Sequence, residues 1–341
     1  DNLLPALRKK ATHSNPLEQE VCAWGLGQLK DAQSQAMLKQ LAASVHANVQ
    51  IAAASALYTL GATAYKDHII KQAEKKNIFA LNQLKNIEGT EELLLTLSKD
   101  HNLAVRINAI ITLLEKHDPR VLPFLPEIFI QDYRDLAFQP AVSFGHALPY
   151  FKVISSASIK NPEEVNLALS LYLKEALLKE ALELPEKDFL HIASLIFERE
   201  QNQLIPFLVQ LLENLATDNA VKLLKKHSQK IGSPLIRDYC HLALFRLKED
   251  GPYETYLERW LLRHQDGELI NFRPLPPHSL QQPGSNYMLT AEETSHLFLD
   301  IFLAFAKRQN AQSIAIVIEA LKNAQPQNRY ALAGLLLRAT E

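Results

Sequence analysis

Glycine is scarce in this chain, ten in 341 residues, and cysteine scarcer still, with two. Neither sign of charge prevails: 36 Lys and Arg against 38 Asp and Glu leave a formal net charge of −2. Each shortage excludes something. Two cysteines in distant segments, Cys22 and Cys240, cannot make a disulfide framework and are expected as reduced thiols within helices. A balanced charge leaves no basic face of the kind that displaces counterions from nucleic-acid phosphates. No run of 18 uncharged apolar residues occurs, so no transmembrane helix is expected. The chain opens on Asp1 with neither an n-region nor an h-region, so no signal peptide is read. The expected compartment is the cytoplasm, any upstream targeting segment having been removed ahead of Asp1.

What is present is leucine, backed by alanine, a mixture that suits helices better than strands. At 341 residues the chain exceeds the size at which one core stops growing. It must divide into domains or extend as an array in which each unit touches its neighbours. Four segments superimpose: Leu17–Leu29, Val49–Leu60, Lys76–Ile87 and Val105–Lys116. Taking Leu26, Leu57, Leu84 and Leu113 as equivalent gives spacings of 31, 27 and 29 residues. A small residue, Ala53, Ala80 or Ala109, precedes three of these leucines by about one turn, where it allows helices to approach closely. Second amphipathic stretches follow at 32–43, 65–73, 90–97 and 120–130. Helix, turn, helix at a period of about thirty is the pattern of an α-solenoid.

The register resembles the HEAT-repeat family. The residues that carry the resemblance are His101-Asn-Leu-Ala-Val-Arg106-Ile-Asn-Ala109 and, next, Ala47-Asn-Val49-Gln-Ile-Ala-Ala53. The likeness covers residues 15–130, with one further unit at 233–264 around Ile236-Arg237 and Ala243. It implies an all-α fold, a right-handed superhelix of antiparallel helix pairs. Three regions are expected: N-terminal repeats over 1–130, an irregular insert over 131–160, and C-terminal helical repeats over 161–341 with a Pro-rich loop at 267–289.

The insert holds Pro140, Gly145 and Pro149 with five aromatics, and no helical register crosses it. Asn161, Pro162 and Glu164 then read as cap, first helical position and capping-box carboxylate of a helix running to Leu184. Helices are expected at 187–199, 204–216, 219–230, 234–248, 253–265, 291–308, 311–324 and 326–340. Between them, 267–289 carries four prolines and two glycines and cannot be a helix.

No catalytic constellation emerges. HEAT-like deoxyhypusine hydroxylases bind iron through His-Glu dipeptides, and none of the 12 histidines here precedes Glu. HExxH, CxxC, GxGxxG and P-loop patterns are absent. Cys240 and His241 point about 100° apart on a helix and cannot pair as nucleophile and base. Hence no catalytic residue, cofactor or metal is assigned.

The expected function is a non-catalytic scaffold or adaptor that binds a protein or peptide through a concave face or irregular loops. Aromatic anchors near the two breaks, Tyr133, Phe144, Phe151, Phe272 and Tyr287, are the candidate contacts, the alternative being that those of the insert plug a kink. Lys222, Lys226 and Lys230 recur at i, i+4, i+8 and offer a nucleic-acid reading, against which stands a plain solvated face. A third reading is an accessory chaperone of the phycobilin-lyase type, another HEAT-like group.

Overall fold

In the computed structural model the described residues are 3–13, 15–131, 136–140, 151–155, 166–167, 171–265 and 289–340. They are predominantly helical. They cluster into two compact units, Asp1–Phe189 and Leu190–Glu341, a division that falls within a helix and not at the 131–160 segment.

In the first unit the helices are α1 (Leu3–Ala11), α2 (Pro16–Gln28), α3 (Gln35–Leu41), α4 (Ala47–Thr59), α5 (Lys66–Glu74), α6 (Ile78–Gln83), α7 (Glu91–Leu97), α8 (Leu103–Glu115) and α9 (Pro126–Phe129). Three of the second helices start on asparagine. The side chains of Asn15, Asn77 and Asn102 accept from Leu17 N, from Phe79 N and Ala80 N, and from Val105 N, satisfying amides that a helix start leaves free. α2 packs on α4, α4 on α6 and α6 on α8, while α3, α5 and α7 pack alongside. Leu26, Leu57, Leu84 and Leu113 are fully buried, as are Ala53, Ala80 and Ala109. Buried hydrogen bonds cross the row, from Ser55 Oγ to Gln83 Oε1 at 2.8 Å and from Thr112 Oγ1 to Asn82 Oδ1 at 3.4 Å.

Gly27 makes a close approach between α2 and α4. A Cβ there would lie 2.6 Å from Ala56 Cα and 2.7 Å from its Cβ, distances that no pair of carbons tolerates. Glycine at 27 therefore sets how near α2 and α4 can come.

The segment read as irregular contains strands. β1 (Leu136–Pro140) pairs antiparallel with β2 (Phe151–Ser155), and Phe138 of β1 also faces Asn166 of β3 (Asn166–Leu167). β2 packs against α6 and α8. The expected helix from Asn161 is corrected here: Asn166 and Leu167 are strand, because their backbone is paired with β1, and α10 (Leu171–Glu180) starts ten residues later. The proposed cap residues Asn161, Pro162 and Glu164 lie outside the described residues.

α11 (Glu186–Glu198) carries the division between the units. Beyond it come α12 (Ile205–Leu215), α13 (Asp218–Ser228), α14 (Pro234–Arg246), α15 (Tyr253–His264), α16 (Ala291–Arg308), α17 (Ala311–Asn323) and α18 (Pro326–Thr340). α14 is the centre of this second unit, with ten of its 13 residues buried and contacts to α12, α13, α15 and α16. Phe298, Phe302 and Phe305 of α16 are fully buried, and Phe305 meets Phe245 at 4.8 Å between ring centres. The capping box at the start of α16 is present: Thr290 Oγ1 accepts from Glu293 N at 3.1 Å, and Thr290 N donates to Glu293 Oε2 at 2.8 Å.

One cap recurs through both units. The N–H two residues beyond the last cap position donates back to a buried anchor carbonyl: Asp31 to Leu26, Ala62 to Leu57, Asp118 to Leu113, Gln201 to Ile196 and Glu249 to Leu244. The residue before each donor, Lys30, Gly61, His117, Glu200 or Lys248, is left-handed, with φ between 52° and 96°. α11 and α14 thus end in the same way as α2, α4 and α8.

Candidate functional site

Four of the five aromatic candidates, Tyr133, Phe144, Phe272 and Tyr287, lie outside the described residues. Phe151 opens β2, with its backbone opposite Pro140. Its strand is the one that lies on α6 and α8, so the insert returns to the row of second helices.

The basic run on α13 is largely charge-paired. Lys225 Nζ lies 2.6 Å from Glu249 Oε2, Lys226 Nζ lies 3.9 Å from Glu198 Oε1, and Lys230 Nζ lies 2.9 Å from Glu200 Oε1. Lys230 also donates to the Phe197 carbonyl at 3.1 Å, completing the end of α11. Lys222 is exposed. Of the three lysines proposed to meet phosphate, two already face carboxylates, which disfavours that use.

His227 sits inside this run, 4% exposed and stacked on Phe197 at 4.4 Å. Burial, with Lys226 and Lys230 close by and only partly offset by Glu198, pushes its pKa down to about 4. The ring is therefore neutral at pH 7. The unfolded chain binds this proton first, from its ordinary value of 6.5. Stability is thus full above pH 6.5 and falls as pH drops toward 4, by at most about 3 kcal/mol. His227→Leu is expected to flatten this part of the curve when wild type and variant are unfolded in urea at pH 7 and pH 4.5. Equal pH dependence in the two proteins would contradict it.

A second cluster centres on Asp238, 1% exposed on α14. Its carboxylate accepts from Trp260 Nε1 at 2.9 Å, from Arg237 Nε at 2.8 Å and from the Tyr256 hydroxyl at 2.5 Å. Arg237 Nε also reaches the Tyr256 oxygen at 2.9 Å. His241 stacks on Tyr256 at 3.9 Å, with Nδ1 2.9 Å from the Arg237 carbonyl. Burial, then Asp238, raises the Tyr256 hydroxyl; burial raises Cys240 well above the usual thiol range and lowers His241. A fully buried thiol held protonated is no nucleophile. The network ties α15 to α14.

A shallow surface recess lies in the first unit. A recess of about 340 Å³ is lined by Gln28, Tyr58, Thr59, Thr63 and Asn86. Gln28, Thr59 and Asn86 are the last residues of α2, of α4 and of the 3-10 turn that continues α6. The packing of α2 on α4 and of α4 on α6 brings them together. Thr59 Oγ1 donates to Ser55 O at 3.0 Å, whereas Gln28, Tyr58, Thr63 and Asn86 have no side-chain hydrogen bond among the described residues. Nearby, Lys85 Nζ lies 3.1 Å from Glu115 Oε1, and Lys66 donates to the Glu88 carbonyl at 3.1 Å.

Among the described residues no group of three or more His, Cys, Asp or Glu could hold a metal ion, and no helix is long and apolar enough to cross a membrane. The sequence matches no protein-family model and no curated protein.

Sequence reasoning singled out none of the recess residues or the Asp238 network. The recess follows from the repeat once the helix ends are aligned, since 28, 59 and 86 share one register with the leucines at 26, 57 and 84. An aspartate in the helical stretch Leu235–Phe245, with Tyr256 and Trp260 at i, i+4 on the next helix, was the available signal for the network.

Proposed function

We propose that the protein is a non-catalytic scaffold or adaptor of HEAT-like build, a right-handed α-solenoid that holds a protein or peptide partner. The observation that carries this reading is the unbroken packing of α2, α4, α6 and α8, each second helix on the next, with one cap geometry closing three of the four. Such a row of packed helices builds an extended face of the kind that partner-binding arrays use. The polar cluster on α14 fits this reading as well, because the donors around Asp238 are taken up by its carboxylate. On this reading β2, lying on α6 and α8, covers part of the row and leaves the α2–α4–α6 edge for the partner.

The test is affinity capture of the tagged full chain from native lysate, with the stoichiometry of co-purifying chains measured. One protein recovered near one-to-one, and surviving nuclease treatment, is the expected outcome. Recovery of nucleic acid, or of nothing near stoichiometry under several salt conditions, contradicts it.

A further inference from the structure

The ring stack and the ion pairs that join α13 to α11 all fall between Lys226 and Lys230. His227 lies on Phe197, itself fully buried, and the His227 Nε2 is buried with no hydrogen-bond partner among the described residues. Lys226–Glu198 and Lys230–Glu200 flank the rings, and Lys230 Nζ also donates to the Phe197 carbonyl. α13 packs besides on α14 and α12. We propose that this cluster is an acid-released latch: His227 takes a proton, leaves Phe197 for water, and α13 parts from the end of α11 while α14 stays folded.

A proton on the buried Nε2 makes a donor with no acceptor and a charge withdrawn from water. Lys226 and Lys230 on the same helix oppose that charge, and Glu198 of α11 offsets them only in part. The charged groups of the other two helices packed on α13 are engaged elsewhere. Glu213 of α12 pairs with Arg246 of α14, Arg237 pairs with Asp238, and His241 Nδ1 lies 2.9 Å from the Arg237 carbonyl. Turning the ring into water relieves both costs.

Closed, His227 has a pKa of about 4; released, it returns to its ordinary 6.5. Lowering the pH from 7 to 5 therefore raises the opened fraction about 25-fold. The opening is local, and so differs from the loss of global stability in acid, in which α14 also unfolds.

The test is hydrogen exchange read by mass spectrometry on the full chain at pH 7 and pH 5, with protection corrected for the intrinsic effect of pH on exchange. Wild type is compared with His227→Phe and His227→Leu. Peptides from 219–230 are expected to be less protected than peptides from 235–246 at both pH values. Their protection in wild type should fall about 25-fold at pH 5, a loss that largely disappears in the variants. Equal protection of the two stretches would mean that α13 opens only with the whole unit, and overturns the latch. That comparison is made within wild type and needs neither variant to fold. Protection of 219–230 that acid leaves unchanged, or an acid loss as large in a folded variant as in wild type, overturns it too.

Discussion

Asp238→Ala is expected to cost about 3–5 kcal/mol of stability in the second unit, the range found when one member of a buried ion pair is removed. The carboxylate is 1% exposed and accepts from the Trp260 indole, the Tyr256 hydroxyl and Arg237. Alanine leaves those donors facing a vacated site. Trp260 is 5% exposed and cannot turn to water without unpacking α15 from α14. Asp238→Asn keeps an oxygen acceptor and is expected to lose less, because an uncharged acceptor makes weaker bonds. The chain has two tryptophans, Trp24 and Trp260, so the measurement is urea unfolding followed by fluorescence in a Trp24→Phe background. A loss below about 1 kcal/mol, the scale of a solvent-exposed ion pair, would show that the network does not hold α15.

Gly27→Leu should cost about 3 kcal/mol in the first unit. A Cβ at 27 would be 2.6 Å from the Ala56 Cα, which is backbone and cannot rotate aside, so α2 must move off α4. Gly27→Ala is milder, about 1 kcal/mol net, since the strain of overpacking is offset by roughly 1 kcal/mol of helix propensity. Gly334 in α18 provides the contrast. A Cβ there meets nothing within 4 Å, and Gly334→Ala should stabilise by about 0.5–1 kcal/mol. Chemical denaturation of the three variants checks the set. A tolerated Gly27→Leu would mean that α2 and α4 are not in close contact.

Much of the helical framework was legible in the chain. The leucines at 26, 57, 84 and 113 predicted four second helices because burying one face of a helix forces apolar residues into a 3.6-residue period. The Thr290–Glu293 box and the prolines at 234 and 326 marked helix starts closely, since those signals act on the backbone next to them. Long-range pairing was not legible. Asn161-Pro162 with Glu164 carries a local helix signal, yet Asn166 is claimed by Phe138 of β1, some thirty residues earlier in the chain. The recurring cap was hidden for a different reason. Only Gly61 advertises a left-handed residue; Lys30, His117, Glu200 and Lys248 adopt the same conformation because the returning N–H and the buried anchor hold them there. The recess was missed because Gln28 and Asn86 look like ordinary surface residues until the helix ends that carry them are stacked.

A scaffold of this build would hold its partner along the row of α2, α4 and α6. The most direct measurement is lysine-directed cross-linking with mass spectrometry on the tagged full chain and its captured partner. Lys30 and Lys66 flank the recess in sequence, beside Gln28 and Thr63, and Lys85 adjoins Asn86. Cross-links from Lys30, Lys66 or Lys85 to one short segment of a single partner are the expected result. Cross-links concentrated on Lys222 and Lys226, or scattered evenly over the surface, would contradict it.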